Sequence, residues 1–339
     1  MAGGAADPSR APVAFGRRAV PQLFEELQQP QAERRLRALR SLCDLMHDPE
    51  RLHQTVRGGF LEQLKVLLKD EDASVRRETC ELLLLLSRKY TASEALLSSS
   101  LLPPLSQLLD DSSYSCRRSV HRVVNQLSVW ISGANALLSL VPKLMLKLKE
   151  EEDEEVLVLL LSTISCCSRG DALPALASDG VSLLGQKLSH LSPNIRREAA
   201  AAMMTLSVSE DGRQQICEQS LLPVLVDLLR EDNIELQINA AGVIMYVVVI
   251  TPGKQQCLDL DVIPVLLDLV SKKIAEGDRR RVLVMYSLRA LTALAETPDG
   301  RRLLLEQLPL LMERSGAEEE NENIRLAAQT AVRVITWTP

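Results

Sequence analysis

A nine-residue stretch recurs eight times along the chain at a spacing of about forty-one residues, as AVPQLFEEL, FLEQLKVLL, LLPPLSQLL, LVPKLMLKL, GVSLLGQKL, LLPVLVDLL, VIPVLLDLV and QLPLLMERS. The copies start at Ala19, Phe60, Leu101, Leu140, Gly180, Leu221, Val262 and Gln307. So regular a period points to stacked supersecondary units and away from a single globular core. In six copies proline holds the third place, as Pro21, Pro103, Pro142, Pro223, Pro264 and Pro309, whereas Glu62 and Ser182 fill it in the other two. At the first turn of a helix proline forfeits no intrahelical hydrogen bond, and its fixed φ already suits the helix. Apolar residues then follow at i, i+3 and i+4 steps, as in Leu222, Leu225, Leu228 and Leu229, which makes one buried stripe.

A second helix is expected after each of these, most plainly in DASVRRETCELLLLLS, DSSYSCRRSVHRVVNQLS and SPNIRREAAAAMMTLS, with Ser, Asp or Asn as N-caps. In the last of these, Ile195, Ala199, Ala200, Met203 and Leu206 share one face, and the small alanines permit close approach of neighbouring helices. Turns with Gly212, Gly253 and Gly300 come next, where glycine is expected to end a helix in the left-handed conformation. Short helices such as Arg213 to Gln219 and Arg301 to Gln307 then lead into the next copy. Three helices in roughly forty residues is the armadillo pattern, distinct from the two-helix units of TPR and ankyrin repeats. The expected fold is therefore all-α, an armadillo-type right-handed superhelical solenoid of about eight three-helix repeats over residues 15–339. Residues 1–14 are expected to form a disordered leader, since MAGGAADPSRAP has no periodicity that could offset its ordering entropy. The runs Ser271 to Arg281 and Glu150 to Glu155 are expected to project as loops.

Composition agrees. Aromatic residues supply only 3% of the chain while 46% is hydrophobic, which suits aliphatic helix packing better than a sheet. The formal net charge of −6 argues against a general nucleic-acid binder. The seven cysteines, Cys43, Cys80, Cys116, Cys166, Cys167, Cys217 and Cys257, are odd in number and form no C-x-x-C pair, so they read as reduced thiols. The longest apolar runs, such as Val243 to Ile250, look too short to span a bilayer.

The usual chemical signatures are missing. Neither G-x-x-x-x-G-K-[ST] nor G-x-G-x-x-G occurs, no G-x-S-x-G elbow presents a serine, and His47, His53, His121 and His190 lie apart without metal-ligand spacing. The expectation is a protein without catalytic activity, cofactor, metal, small-molecule substrate or membrane partner. Two charged groups remain as candidate protein-binding sites. One is a discontinuous basic stripe on the second long helices, made of Arg37, Arg122 and Arg289 with Arg77, Arg118 and Arg197. The other is the acidic run Glu150, Glu151, Glu152, Asp153, Glu154 and Glu155, which reads either as a solvated helix cap or as a docking site for a basic segment.

Armadillo proteins that hold extended basic peptides, such as the importin-α family, line their groove with Asn and, four residues earlier, Trp. Here the Asn places hold Ser41, Leu85, Gln126, Thr163, Thr205, Tyr246, Ala293 and Val334, and the Trp places hold Arg37, Glu81, Arg122, Leu159, Ala201, Gly242, Arg289 and Thr330. Without those side chains, carriage of nuclear-localisation signals in that manner is not expected.

Several segments carry a more specific likeness: AFGRRAVPQLFEELQ (Ala14 to Gln28), ALRSLCDLMHDPE (Ala38 to Glu50), QLKVLLKD (Gln63 to Asp70), NIRREAA (Asn194 to Ala200), NAAGVIMYVVVITPGK (Asn239 to Lys254) and ALTALAETPDGR (Ala290 to Arg301). Through these the chain resembles the radial spoke head 14 homologues, also called rhabdoid tumour deletion region proteins. Its seventh repeat departs from them, with KKIAEGDRRRVLVMY at 272–286 longer and more basic. The resemblance implies a non-catalytic structural subunit of the radial spoke, in the axoneme of motile cilia and flagella, with other spoke subunits as partners in a multiprotein complex. The reading that competes with it is a soluble armadillo adaptor binding cargo or signalling proteins in cytosol or nucleus.

Overall fold

The structure, a computed structural model, describes residues 7–272, 279–316 and 321–337. Among the described residues every regular element is a helix. Eight long helices set the frame: α1 Ala32–Leu45, α2 Ala73–Ser87, α3 Tyr114–Ser128, α4 Glu154–Ser168, α5 Pro193–Leu206, α6 Ile234–Val247, α7 Arg280–Leu294 and α8 Glu322–Ile335. Two shorter helices precede each from α2 onward, for example Pro49–Arg57 and Leu61–Leu67 before α2, or Glu210–Glu218 and Leu222–Arg230 before α6. Before α1 stand a 3-10 turn, Gly16–Arg18, and the helix Ala19–Glu26.

The sequence explains most of these boundaries. The recurrent prolines sit in first turns, with Pro103 and Pro223 each second in its helix. Asp72 caps α2 by accepting the Ser74 N–H at 2.7 Å, and Asn233 caps α6 by accepting those of Glu235 and Leu236 at 3.1 and 3.3 Å. The predicted face of α5 is the buried one: Ile195, Ala199, Ala200, Met203 and Leu206 are fully shielded.

Three expectations about turns need correction. Gly212, Gly253 and Gly300 do not end helices in the left-handed region; they lie in the first turns of Glu210–Glu218, Thr251–Asp259 and Pro298–Leu305. Those helices accordingly begin about three residues earlier than the sequence suggests. Glycine is required there by close approach, because a Cβ would fall 2.0, 2.2 and 2.2 Å from the carbonyl oxygens of Leu206, Val247 and Leu294 at the end of the preceding long helix. Apart from Gly16, the left-handed residues stand instead at the corner between the two shorter helices: Ser100, Asp179, Ser220 and Asp261 with φ of 51–59°, and Gly59 with φ of 75°.

The acidic run does not project either. Glu150 ends the helix Val141–Glu150, and α4 begins at Glu154, so only three residues lie between them. Asp153 caps α4 through the Val156 N–H at 3.0 Å, while Glu151 accepts the N–H groups of Glu152 and Asp153 at 3.1 and 3.0 Å. Of the longer turn in the seventh repeat, residues 273–278 lie outside the described residues.

Repeats that touch only their neighbours share no single core, and contacts divide the chain into two compact units where the sequence reading has one solenoid. The first comprises Met1–Leu144 and Glu151–Asp171, the second Met145–Glu150 and Ala172–Pro339. Within the first, α1 to α4 stack in order; within the second, α5 to α8 do so. Between the first two repeats Phe24 stacks on Phe60 at 4.3 Å between centroids. An arginine in the first turn of a long helix recurs as a staple. Arg76 binds the carbonyls of Asp70 and Glu71 and reaches Asp111 of the next repeat, and Arg35 does the same to Gln29, Pro30 and Asp70. In the second unit Arg196 holds the carbonyls of His190 and Leu191 and the carboxylate of Glu231.

Contrary to the expectation from apolar run length, the helical stretch Ile131–Glu150 is 20 residues long and apolar enough to cross a membrane by length and composition. It is not one continuous α-helix, since a 3-10 turn at Leu138–Leu140 and Pro142 interrupt it. Its Leu137, Val141, Leu144, Met145 and Leu148 are at most 1% exposed and serve as core.

Candidate functional site

The outward faces of the long helices carry the places where the basic stripe was expected. The six arginines do lie on these helices, but most of their charge is already answered. Arg37 stands 3.7 Å from Glu33 one turn earlier on α1. On α2, Arg77 reaches Glu78 at 2.6 Å, and Arg40 of α1 approaches the same carboxylate at 3.3 Å. Arg122 of α3 binds both oxygens of Glu81 on α2, at 2.9 and 3.1 Å, and Ser119 donates a further hydrogen bond to that carboxylate at 2.8 Å. In the second unit Arg197 pairs with Glu198 at 3.1 Å. Arg289 on α7 is exposed and makes no ion pair among the described residues; it borders an open cleft of about 310 Å3 with Thr292 of α7 and Asn323, Leu326 and Thr330 of α8. On the first unit the long helices therefore carry interleaved charge in place of a run of free arginines.

The two candidate groups meet in one place. Arg118 of α3 forms an ion pair with Glu155 of α4, so part of the acidic run neutralises part of the predicted stripe. That bond with Glu155 holds the Arg118 guanidinium above its ordinary pKa. Beside it the Tyr114 hydroxyl donates to Asp153 at 2.8 Å. Burial opposes ionisation of Asp153, yet the Val156 N–H and the Tyr114 hydroxyl hold its pKa below the usual value. Glu150 lies 3.5 Å from Lys147, and Glu152 and Glu154 are exposed.

Sequence reasoning placed Glu81 on the groove without its partner and missed the carboxylate Glu78 and the amides Asn125 and Asn239. Asn125 of α3 donates to the Thr163 hydroxyl of α4 at 3.2 Å, and Asn239 of α6 donates to the Arg197 carbonyl of α5 at 3.1 Å. These asparagines join neighbouring long helices instead of facing a ligand. A forty-one-residue offset was the available signal, because Glu81 and Arg122 stand at equivalent places in adjacent repeats.

The expected leader also needs correction. Residues 1–6 lie outside the described residues, but 7–14 lie along α1. The Ala11 N–H donates to the Ser41 hydroxyl at 2.9 Å, that hydroxyl donates to the Ala11 carbonyl at 3.2 Å, and Arg10 pairs with Asp44 at 2.5 Å.

Among the described residues no three potential metal ligands cluster. Five of the seven thiols are buried and Cys43 and Cys166 are half-buried. Burial pushes the thiols of Cys43, Cys167 and Cys257 up to about 12, which keeps them protonated and poor nucleophiles at neutral pH.

Comparison with known proteins agrees with this geometry. The armadillo/β-catenin-like repeat family matches residues 209–245, which run from the capping Ser209 through the sixth copy of the repeat into α6. The crystal structure of an engineered protein, a target of the Northeast Structural Genomics Consortium, superposes with a TM-score of 0.84 at 19% identity, covering 95% of this chain and 79% of that one. A designed armadillo repeat protein gives a TM-score of 0.63 at 21% identity, covering 67% of this chain and 99% of that one. Another, solved in complex with the peptide (KR)4, gives 0.63 at 22% identity over the same shares. In fold, the chain is an all-α solenoid of armadillo type.

Proposed function

We propose that the chain is a non-catalytic protein-binding scaffold and a structural subunit of the radial spoke in motile cilia and flagella. The structural observation that supports a scaffold is the charge pattern on the long helices of the first unit. Arg40 with Glu78, Arg122 with Glu81 and Arg118 with Glu155 each tie one long helix to the next. Such pairs fix outward charges at defined spacings on a stiff stack, which suits an extended partner surface more than a small ligand. The spoke assignment rests on the sequence resemblance through Ala38 to Glu50, Asn239 to Lys254 and Ala290 to Arg301. Partners are then other spoke subunits, and the site of action is the axoneme.

Proximity labelling tests this reading in ciliated cells expressing the chain fused to a labelling enzyme. Spoke subunits should dominate the labelled proteins, and the fusion should sediment with detergent-extracted axonemes. Labelling confined to cytosolic or nuclear proteins, with the fusion in the detergent-soluble fraction, would overturn the spoke assignment while leaving a scaffold role intact.

A further inference from the structure

The segment Asp7–Val13 is held on α1 as a peptide is held in a groove. Its backbone supplies the contacts: Ser41 accepts from the Ala11 N–H at 2.9 Å and donates to the Ala11 carbonyl at 3.2 Å, and the same N–H also reaches the Arg37 carbonyl at 3.4 Å. Its side-chain contact is charged, because Arg10 Nε lies 2.5 Å from Asp44, and Asp44 has no other ion-pair partner among the described residues. We propose that this segment is a built-in ligand, occupying in cis a site on α1 that takes a proline-flanked arginine peptide of a partner protein, turned up to the arginine, as the Arg10 N–H bonded to the Asp7 carbonyl at 3.1 Å shows, and extended after it.

Three features support an exchangeable ligand over a fixed part of the fold. Pro8 and Pro12 flank the contact, and a proline pushes the residue before it, here Ala11, toward extended backbone, so the bound shape costs little entropy. The grip is light, since the side chains of Arg10 and Asp44 are 37% and 59% exposed and Pro12 and Val13 are exposed. An ion pair so open to water is weak and screened by salt. Just after the segment the chain is pinned again, by Arg51 to the Gly16 carbonyl and by Gln54 to the Arg17 carbonyl at 2.7 Å. A short tether of this kind gives a weak ligand a high local concentration, as a replaceable plug requires.

The surroundings define what the incoming peptide should be. Beside Arg10 an open cavity of about 310 Å3 runs from Cys43 and Asp44 of α1 to Glu78 and Leu85 of α2. Leu85 stands where the next repeat would need a polar side chain to hold a peptide backbone, so backbone pairing is confined to the residue over Ser41. Recognition is then one paired residue, kept extended by the proline after it, preceded by one arginine at the end of a turn. The proposal does not depend on membership of the spoke, since it concerns chemistry on α1 alone.

The test uses the full chain and a fluorescent synthetic peptide, DPSRAPVAF, which reproduces residues 7–15. Anisotropy at low salt compares wild type, Arg10→Ala and Arg10→Ala with Asp44→Lys. Arg10→Ala loosens the cis segment and should bind the peptide about two- to five-fold more tightly than wild type, the gain that loss of an exposed ion pair allows. Adding Asp44→Lys should cut that affinity at least ten-fold, and the Arg10→Glu version of the peptide should restore it. Residues 10 and 44 are at the surface, so circular dichroism should find all three proteins equally helical. Equal binding to wild type and Arg10→Ala, no binding to either, or indifference to Asp44→Lys would each overturn the proposal. So would a wild-type dimer in sedimentation that Arg10→Ala dissociates, because the segment would then belong on a second copy.

Discussion

Arg76 grips Asp111 of the following repeat with two nitrogens, at 2.7 and 2.9 Å, while its third donates to the carbonyls of Asp70 and Glu71 at 2.7 and 3.0 Å. One side chain thus closes the turn before its own helix and staples that helix to the next unit. Both partners are shielded, with side chains 14% and 5% exposed. Arg76→Ala should therefore destabilise the first unit by about 2–4 kcal/mol, because it strands a buried carboxylate and two carbonyls. Arg76→Lys should recover less than half, since a point charge cannot reproduce the fork. Hydrogen exchange of α2 and α3 amides reads the effect locally. Unchanged protection in Arg76→Ala would show that the staple contributes nothing.

The same pair predicts a pH dependence. The hydrogen bond from Arg76 holds the Asp111 pKa below its ordinary 3.8. A depressed folded pKa contributes stability that is present above the unfolded value and lost as pH falls through the folded one. The cost of Arg76→Ala should hence be greatest at neutral pH and shrink on acidification, beginning where the stranded Asp111 of the variant takes up its proton. Urea melts of both proteins from neutral to acid pH test the sign; a cost that grows on acidification would contradict it.

Glycine supplies a third prediction. Gly212→Ala, Gly253→Ala and Gly300→Ala should each cost about 2 kcal/mol or more, because the new methyl meets a backbone carbonyl within 2.2 Å that cannot move without shifting a helix. Gly185→Ala meets only the Leu221 side chain, at 2.8 Å, and should cost less. Thermal melts of the four variants give the order.

The left-handed corners invert that logic. Ser100, Asp179, Ser220 and Asp261 hold φ values of 51–59° where Gly59 holds its counterpart. A non-glycine residue pays about 1–2 kcal/mol for that region, against about 1 kcal/mol of extra unfolded-state entropy for glycine. Ser220→Gly and Asp261→Gly should raise stability by up to about 1 kcal/mol. A loss of stability in both would mean that their side chains contribute more than the strain.

These cases show what was legible in the sequence. The long helices, their caps and the proline-marked starts follow from local chemistry, as Asp72, Asn233 and Pro223 illustrate. Gly212 was misread because a left-handed turn and a close backbone approach select the same residue, and only the packed neighbour, Leu206, separates them. The pairing of the stripe's arginines was hidden for a related reason: Arg122 and Glu81 are forty-one residues apart, and a charge read on one helix ignores the carboxylate that stacking brings beside it. Ala11 on Ser41 was illegible because the contact uses backbone, which composition does not reveal.

Arg122 and Glu81 also allow stability to be separated from partner binding. Arg122→Glu sets two carboxylates together on α2 and α3 and, at 37% exposure of the arginine, should cost only about 0.5–1 kcal/mol. Adding Glu81→Arg rebuilds the ion pair with its direction reversed and should return the melting temperature to near the wild-type value. If the first unit's outward charge pattern recognises a spoke neighbour, the double variant should still incorporate poorly into axonemes, because stability is recovered but the pattern is not. Full incorporation of the double variant, with a defect in Arg122→Glu alone, would assign the pair to holding α2 against α3. Partner recognition would then have to lie elsewhere, at the cleft beside Arg289 or the exposed Glu152 and Glu154.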